Sequence, residues 1–347
     1  MEKIYDIGLV PRQKELSERA MFPFSQINYL VNGICFDRNN LTLITSGSDN
    51  GKSTFTSQII CDVIKQGYKC CCFFGEDSPY ESQDRIFKQS LRADESSGIY
   101  YKAYTVNGKE TNCGEYMLDD ETWQKAYERF SGKLFLYNTK ASARVEDILQ
   151  GFEEARTKYG CKIFVLDNCE QFDFATDNEN VELKNSVIKI RDYAINNKVH
   201  IFLVHHIRKM PRDVILPDMN DIKGTGSLVN IAKNVLIIVR MDKVDHSTKE
   251  YKALKKLIEL NNYNLDDADC LVHVAKTKGR KLGFSILKFN KRLNIYYDCK
   301  KIDETKEETD KVNVIIPKQQ STFDETFDTE NPILIPIKDD GSLPFLI

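Results

Sequence analysis

Short apolar runs alternate with polar, helix-periodic stretches along most of this chain. Leu41–Ile44, Lys69–Phe74 (KCCCFF), Leu134–Tyr137, Lys162–Asp167 (KIFVLD), His200–Val204 (HIFLV) and Val235–Arg240 are continuously apolar. That is the pattern of strands buried on both faces of a parallel sheet. Between them the periodicity predicts helices over Ser53–Lys65, Ser78–Leu91, Asp120–Phe130, Val145–Tyr159 and Val181–Asn196. Strands alternating with helices in this way indicate an α/β fold with a central, mostly parallel sheet. Further on, Ser247–Leu260 predicts a Lys-rich amphipathic surface helix. Cys270–Lys276 and Phe284–Phe289 predict a C-terminal β-hairpin joined by a basic turn from Thr277 to Gly283, and Leu293–Tyr297 a third strand.

Three stretches depart from the alternation. Pro11–Ala20 predicts a short charged helix opened by its proline, followed by the apolar positions Phe22, Phe24, Ile27, Leu30 and Val31. Such an arm packs either on a neighbouring subunit or on the chain's own core. Ala93–Asp120 lacks a clear period and predicts an excursion with a small hairpin near Val106–Lys109. Beyond Lys300 the chain is charged and broken by prolines, which predicts a mostly disordered tail. The expected organisation is an arm over 1–24, one α/β domain over 25–300 and an acidic tail over 301–347.

Charge sharpens this division. The tail holds five lysines against eleven carboxylates, a balance of −6; the whole chain is −3, so the remaining 300 residues carry +3. A mildly basic body is compatible with nucleic acid. The ten cysteines include no CxxC pair and no metal-ligand spacing with the histidines, which points to reduced interior thiols. No apolar run approaches the roughly 20 residues of a membrane helix. The N-terminus MEKIYDIGLV lacks a signal pattern, so the expected location is cytoplasmic, with no membrane partner.

The densest chemistry lies at Leu41–Phe55, LTLITSGSDNGKSTF. A strand runs into a small-residue loop that opens a helix, the context of a phosphate-binding loop. Ser46, Gly47, Ser48, Asp49, Asn50 and Gly51 would wrap backbone N–H groups around an anion at the helix N-terminus, with Thr54 in its first turn. Lys52 would reach the β- and γ-phosphates of ATP or another NTP, and Ser53 would ligate Mg²⁺. Ser46 stands where the pattern has its first glycine, and Gly47 is expected to supply the flexibility. Glu76, past the end of a strand taken to lie beside the phosphate-loop strand, either orients the attacking water or caps the helix that follows. Asp167 ends a buried strand, as an acid holding Mg²⁺ through water does. His205 and His206 end the next strand, suggesting a group that senses the γ-phosphate. The following loop carries Lys209, Arg212 and Lys223, bases suited to backbone phosphates.

In this order, TSGSDNGKSTF, the Glu76 strand end, KIFVLD, LVHHIRK, DIKGTGSL and a basic hairpin followed by ILKFNK resemble the ATPase domain of hexameric DnaB-like replicative helicases. Within that family the likeness is to the phage primase–helicase and Twinkle branch, over roughly residues 25–298. The resemblance implies a RecA-like P-loop ATPase core and a ring-forming, ATP-dependent helicase translocating on single-stranded DNA. It implies Glu76 as the water-polarising residue and His206 as the γ-phosphate contact. Lys209, Arg212 and Lys223 would face the central channel, and Arg240 and Phe289 would flank the base. Lys276 with Lys278 or Arg280 would act on the neighbouring subunit's nucleotide. The finger motif is one residue short, with lysine where the family has arginine. No primase or zinc-binding domain is expected ahead of the arm, and a polymerase or primase is the expected partner of the acidic tail. Two other readings stay open: a RecA/RadA-like DNA-dependent ATPase that does not unwind, and a non-hydrolysing nucleotide switch that scaffolds replication proteins.

Overall fold

The computed structural model describes residues 17–38, 40–91, 93–106, 108–137, 143–174, 178–207, 217–222, 226–244, 246–279 and 281–299, with 311–312 and 335–336 beyond them. Contacts divide the chain into two units, 1–299 and 300–347. In the second, Lys311–Val312 pairs antiparallel with Ile335–Pro336; the rest of the expected tail lies outside the described residues.

In chain order the strands of the first unit are β1 (Arg19–Ala20), β2 (Ile34–Cys35), β3 (Leu41–Ser46), β4 (Cys70–Phe74), β5 (Ile99–Val106), β6 (Lys109–Leu118), β7 (Leu134–Leu136), β8 (Ile163–Asp167), β9 (His200–His206), β10 (Asn234–Arg240), β11 (Cys270–Lys276), β12 (Gly283–Asn290) and β13 (Ile295–Asp298). The helices are α1 (Ser25–Val31), α2 (Lys52–Lys65), α3 (Pro79–Gln89), α4 (Asp120–Phe130), α5 (Val145–Glu154), α6 (Glu179–Asn197), α7 (Gly226–Ile231) and α8 (Lys249–Leu260).

Nine strands form one sheet in the order β13-β12-β11-β10-β3-β9-β8-β4-β7. The six from β10 to β7 are parallel, and β11, β12 and β13 add an antiparallel meander at one edge. Alternate residues of each central strand feed two cores. Ile44, Cys70, Cys72, Val165, Phe202 and Val204 face α1, α2, α3 and α4, while Leu41, Leu43, Cys71, Phe73, Phe164 and Leu203 face α5 and α6. Two-sided burial is why these strands are continuously apolar. All ten cysteines are free, and Cys70, Cys71 and Cys72 are core residues of β4.

The departures from sequence expectation have local causes. Arg19–Ala20, expected at the end of a helix, pairs with Ile34–Cys35 as a strand. The rest of that expected helix lies largely outside the described residues. Phe22, Phe24, Ile27, Leu30 and Val31 are buried in the chain's own core, where Phe24 stacks on Phe55 of α2 at 5.0 Å. The small hairpin is larger than its turn signals suggested, with eight residues in β5 and ten in β6. It leaves Tyr100, Tyr101, Tyr104 and Tyr116 exposed, so no apolar face announced it in the sequence.

Candidate nucleotide site

The parallel strands end together on one edge of the sheet, and the candidate residues collect there. β3 ends at Ser46, and α2 begins at Lys52. In the loop between them Asp49 (φ 58°) and Gly51 (φ 79°) take left-handed backbone. Gly47 does not, so the flexibility expected of it is supplied two and four residues later. A side chain at Gly51 would collide with the Tyr296 hydroxyl, so glycine is required both by φ and by space. Asn50 anchors the loop: its Oδ1 accepts the Arg240 backbone N–H at 3.0 Å, and its Nδ2 donates to the Ser48 carbonyl at 3.0 Å.

Lys52 is buried, and among the described residues its ammonium hydrogen-bonds to no carboxylate: it meets the Gly47 carbonyl at 3.1 Å, Ser46 Oγ at 3.4 Å and His206 Nδ1 at 3.1 Å. Burial pushes its pKa down, against the pull of the Asp167 and Glu76 carboxylates. Asp167 is buried and its Oδ2 has no hydrogen-bond partner among the described residues. Burial pushes that carboxyl up to about 6; the Ser53 hydroxyl, Arg85 and Lys52 pull it down, and Asp77 adds to the rise. A buried cation facing neutral acceptors and a buried carboxylate oxygen without a donor are each short of a counter-charge. An anion at the loop and a cation between Ser53 and Asp167 would complete both, so the residues fit a nucleotide with Mg²⁺.

Glu76 arrives by a different route from the one expected. β4 is not beside β3; β9 and β8 lie between them. The end of β4 is tied to β8 by the Gly75 N–H, which donates to the Asp167 carbonyl at 2.6 Å, and a Cβ at Gly75 would press on Gln171 at 2.5 Å. Glu76 Oε1 accepts from Asn168 Nδ2 at 2.6 Å and lies 3.8 Å from His206 Nε2. The capping alternative falls away, because Ser78 caps α3 in a capping box with Glu81. Asn168 was not a candidate from sequence; its only signal was its place beside Asp167. His206, the last residue of β9, sits in register with Ser46 of β3, which brings it onto Lys52. Lys52, Ser53, Glu76, Asp77, Asp167, Glu170, His206 and Arg240 line one cleft of about 1030 Å³.

The Arg240 guanidinium lies over the Phe289 ring at 5.6 Å and is held by Asp242 at 2.5 Å, so this expected pair is brought together beside the phosphate loop. Lys276 is not presented as a finger. Its ammonium donates to the Val229, Asn230 and Ala232 carbonyls at 2.5, 3.1 and 2.8 Å, capping the C-terminus of α7. Lys278 is exposed on the turn, and Arg280 lies outside the described residues. In the β10–β11 pairing Lys276 is opposite Val235 and Cys270 opposite Arg240. The turn is therefore at the far end of the sheet from this chain's own phosphate loop, a strand length of roughly 20 Å away. Lys209, Arg212 and Lys223 also lie outside the described residues; an Ile207–Ile222 bridge closes the base of the segment that carries Lys209 and Arg212, and Lys223 follows directly after it.

Residues 10–212 match the model of the AAA domain family. The chain belongs to that family. A DNA helicase/primase of Enterobacteria phage T3 is 22% identical over 251 residues, 67% of this chain and 42% of the phage protein. The chain thus spans less than half the length of this relative. A solved ATPase domain superposes with a TM-score of 0.61 at 15% identity, over 80% of this chain and 89% of that one. A DnaB-like replicative helicase, from a study of its interactions with primase, gives 0.60 at 15% identity over 79% and 62%. A KaiC-like protein of Pyrococcus horikoshii gives 0.50 at 15% identity over 81% and 100%. This AAA-family chain therefore has the RecA-like P-loop fold of the ATPase domains of DnaB-like helicases. Among the described residues no helix is long and apolar enough to cross a membrane.

Proposed function

We propose that this AAA-family chain is an NTP hydrolase acting as a ring-forming, ATP-dependent helicase that translocates on single-stranded DNA in replication. The observation that carries the reading is the convergence of Lys52, Glu76, Asp167 and His206, from four different strand ends, on one cleft. The phosphates would be held by the loop 46–51 and by Lys52, which would exchange its neutral acceptors for anionic oxygens. Ser53 and Asp167 would hold Mg²⁺, which supplies charge neutralisation at the phosphates when bound. Glu76 would orient a water and take its proton. The position of the basic turn supports action between copies. A turn at the far end of the sheet does not serve this chain's own loop, and its Lys278 and Arg280 would complete the site of the next subunit, which favours a closed, hexamer-like ring. The loop after His206 would carry Lys209, Arg212 and Lys223 to DNA phosphates, so nucleotide state and DNA grip meet at the end of one strand. The acidic tail would engage a polymerase or primase.

The test joins ATP turnover, its stimulation by single-stranded DNA, and unwinding of a forked duplex. All three are expected in the wild type, with stimulation lost and basal turnover kept when Lys209, Arg212 and Lys223 are neutralised together. Turnover without unwinding would move the reading to a DNA-dependent ATPase; binding without turnover would move it to a nucleotide switch.

A further inference from the structure

Asn168 is buried behind Asp167 and makes three contacts with its amide. Oδ1 accepts the Glu170 backbone N–H at 2.8 Å. Nδ2 donates to Glu76 Oε1 at 2.6 Å and lies 3.1 Å from His206 Nε2. A backbone N–H can only donate, so Oδ1 must face Glu170. Turned over, the amide would press an oxygen against the Glu76 carboxylate. The chemistry of its neighbours sets the orientation. Nδ2 then has one hydrogen for Glu76 and one for His206, so Nε2 of His206 must accept.

On the other side of the ring Nδ1 faces Lys52 Nζ at 3.1 Å, a second donor. A neutral imidazole has one accepting nitrogen and can serve only one of the two. Lys52 has other acceptors at Ser46 and Gly47 and a flexible stem, whereas Asn168 has a single satisfied orientation. We propose that Asn168 is a positioning residue that holds His206 in its Nδ1–H tautomer when nucleotide phosphates draw Lys52 away. Nδ1–H is then aimed at the ground Lys52 has left, where it donates to the terminal phosphate. The second hydrogen of the same amide holds Glu76, so the phosphate contact and the water-orienting carboxylate are set by one side chain. This rests on the reading that Lys52 binds nucleotide phosphates.

The experiment labels histidine with nitrogen-15 and reads the His206 tautomer by NMR in the complex with Mg²⁺ and the β,γ-imido analogue of ATP. The resonance is assigned by its loss in His206→Gln. The wild type is expected to show Nδ1–H. In Asn168→Asp the new carboxylate accepts instead of donating, so the ring is expected to turn over to Nε2–H. Its kcat should fall by about tenfold or more while KM stays within about threefold, as for an interaction made mainly in the transition state. An Nε2–H or doubly protonated ring in the wild-type complex overturns the proposal, whether or not the variant folds. An unchanged tautomer and kcat in Asn168→Asp overturns it too. Fluorescent-nucleotide titration separates the two levels: without nucleotide binding by the wild type, the functional reading fails first and this inference with it.

Discussion

Replacing Asp167 by Asn should make the protein more stable and inactive at once. Asp167 is buried at the end of β8 with Oδ2 unpartnered, and burial pushes its carboxyl from 3.8 up to about 6. The folded value is raised above the unfolded one. The benefit of the neutral acid is therefore fully present below about pH 4 and is lost as pH rises through about 6. Above that pH folding must bury a charge, and the gap between the two pKa values, at roughly 1.4 kcal/mol per pH unit, amounts to about 3 kcal/mol. Asn keeps the shape without the charge, and it replaces one unpartnered atom by another, so that cost is common to both proteins. Urea unfolding without Mg²⁺ or nucleotide should show Asp167→Asn more stable by about 3 kcal/mol at pH 8. The advantage should shrink through pH 6 and be nearly gone by about pH 4, with an unchanged denaturant slope. Mg²⁺ and nucleotide together should then raise the wild type by mass action and leave the variant behind, because only the carboxylate can hold the ion. A variant no more stable than wild type at pH 8, or an advantage that grows toward acid, would refute the argument.

Three further outcomes follow from the site. Glu76→Gln should keep nucleotide affinity and lower turnover more than about tenfold, read by titration and steady-state ATPase, because an amide cannot take the proton. Gly51→Ala should weaken nucleotide binding and lower the midpoint of thermal unfolding by an amount equivalent to about 1–3 kcal/mol, since it adds a left-handed Ala and a clash with Tyr296. For the basic turn, Arg280→Ala protein should be inactive alone and regain turnover when mixed with Lys52→Ala protein, because some interfaces then pair an intact loop with an intact finger. Arg280 is the expected finger for its planar, always-charged fork; normal turnover by Arg280→Ala together with its loss in Lys278→Ala would reassign the role.

Much of this molecule is written in contiguous stretches. The small-residue loop between an apolar strand and a helix is a local signal, because a phosphate-binding loop is built from successive backbone N–H groups of one segment. So is Asp167 at the end of KIFVLD, since a two-sided strand must be apolar until it leaves the sheet. Strand order is not local. Nothing in KCCCFFGE states that two strands separate it from the phosphate-loop strand, and only pairing through β8 and β9 brings Glu76 to Asn168 and His206. Lys276 shows the same limit from the other side. The family resemblance, at a strand end beside a basic turn, suggested a hand offered to a neighbour, but the fold lays Lys276 over the last carbonyls of α7, where a helix end needs donors. Sequence by itself determined the alternation of elements and which polar side chains stand at each strand end, because both depend on neighbours in the chain. Which strand ends meet, and which cations are already engaged within the chain, was decided only by tertiary structure, because sheet order and helix packing depend on residues far apart in sequence.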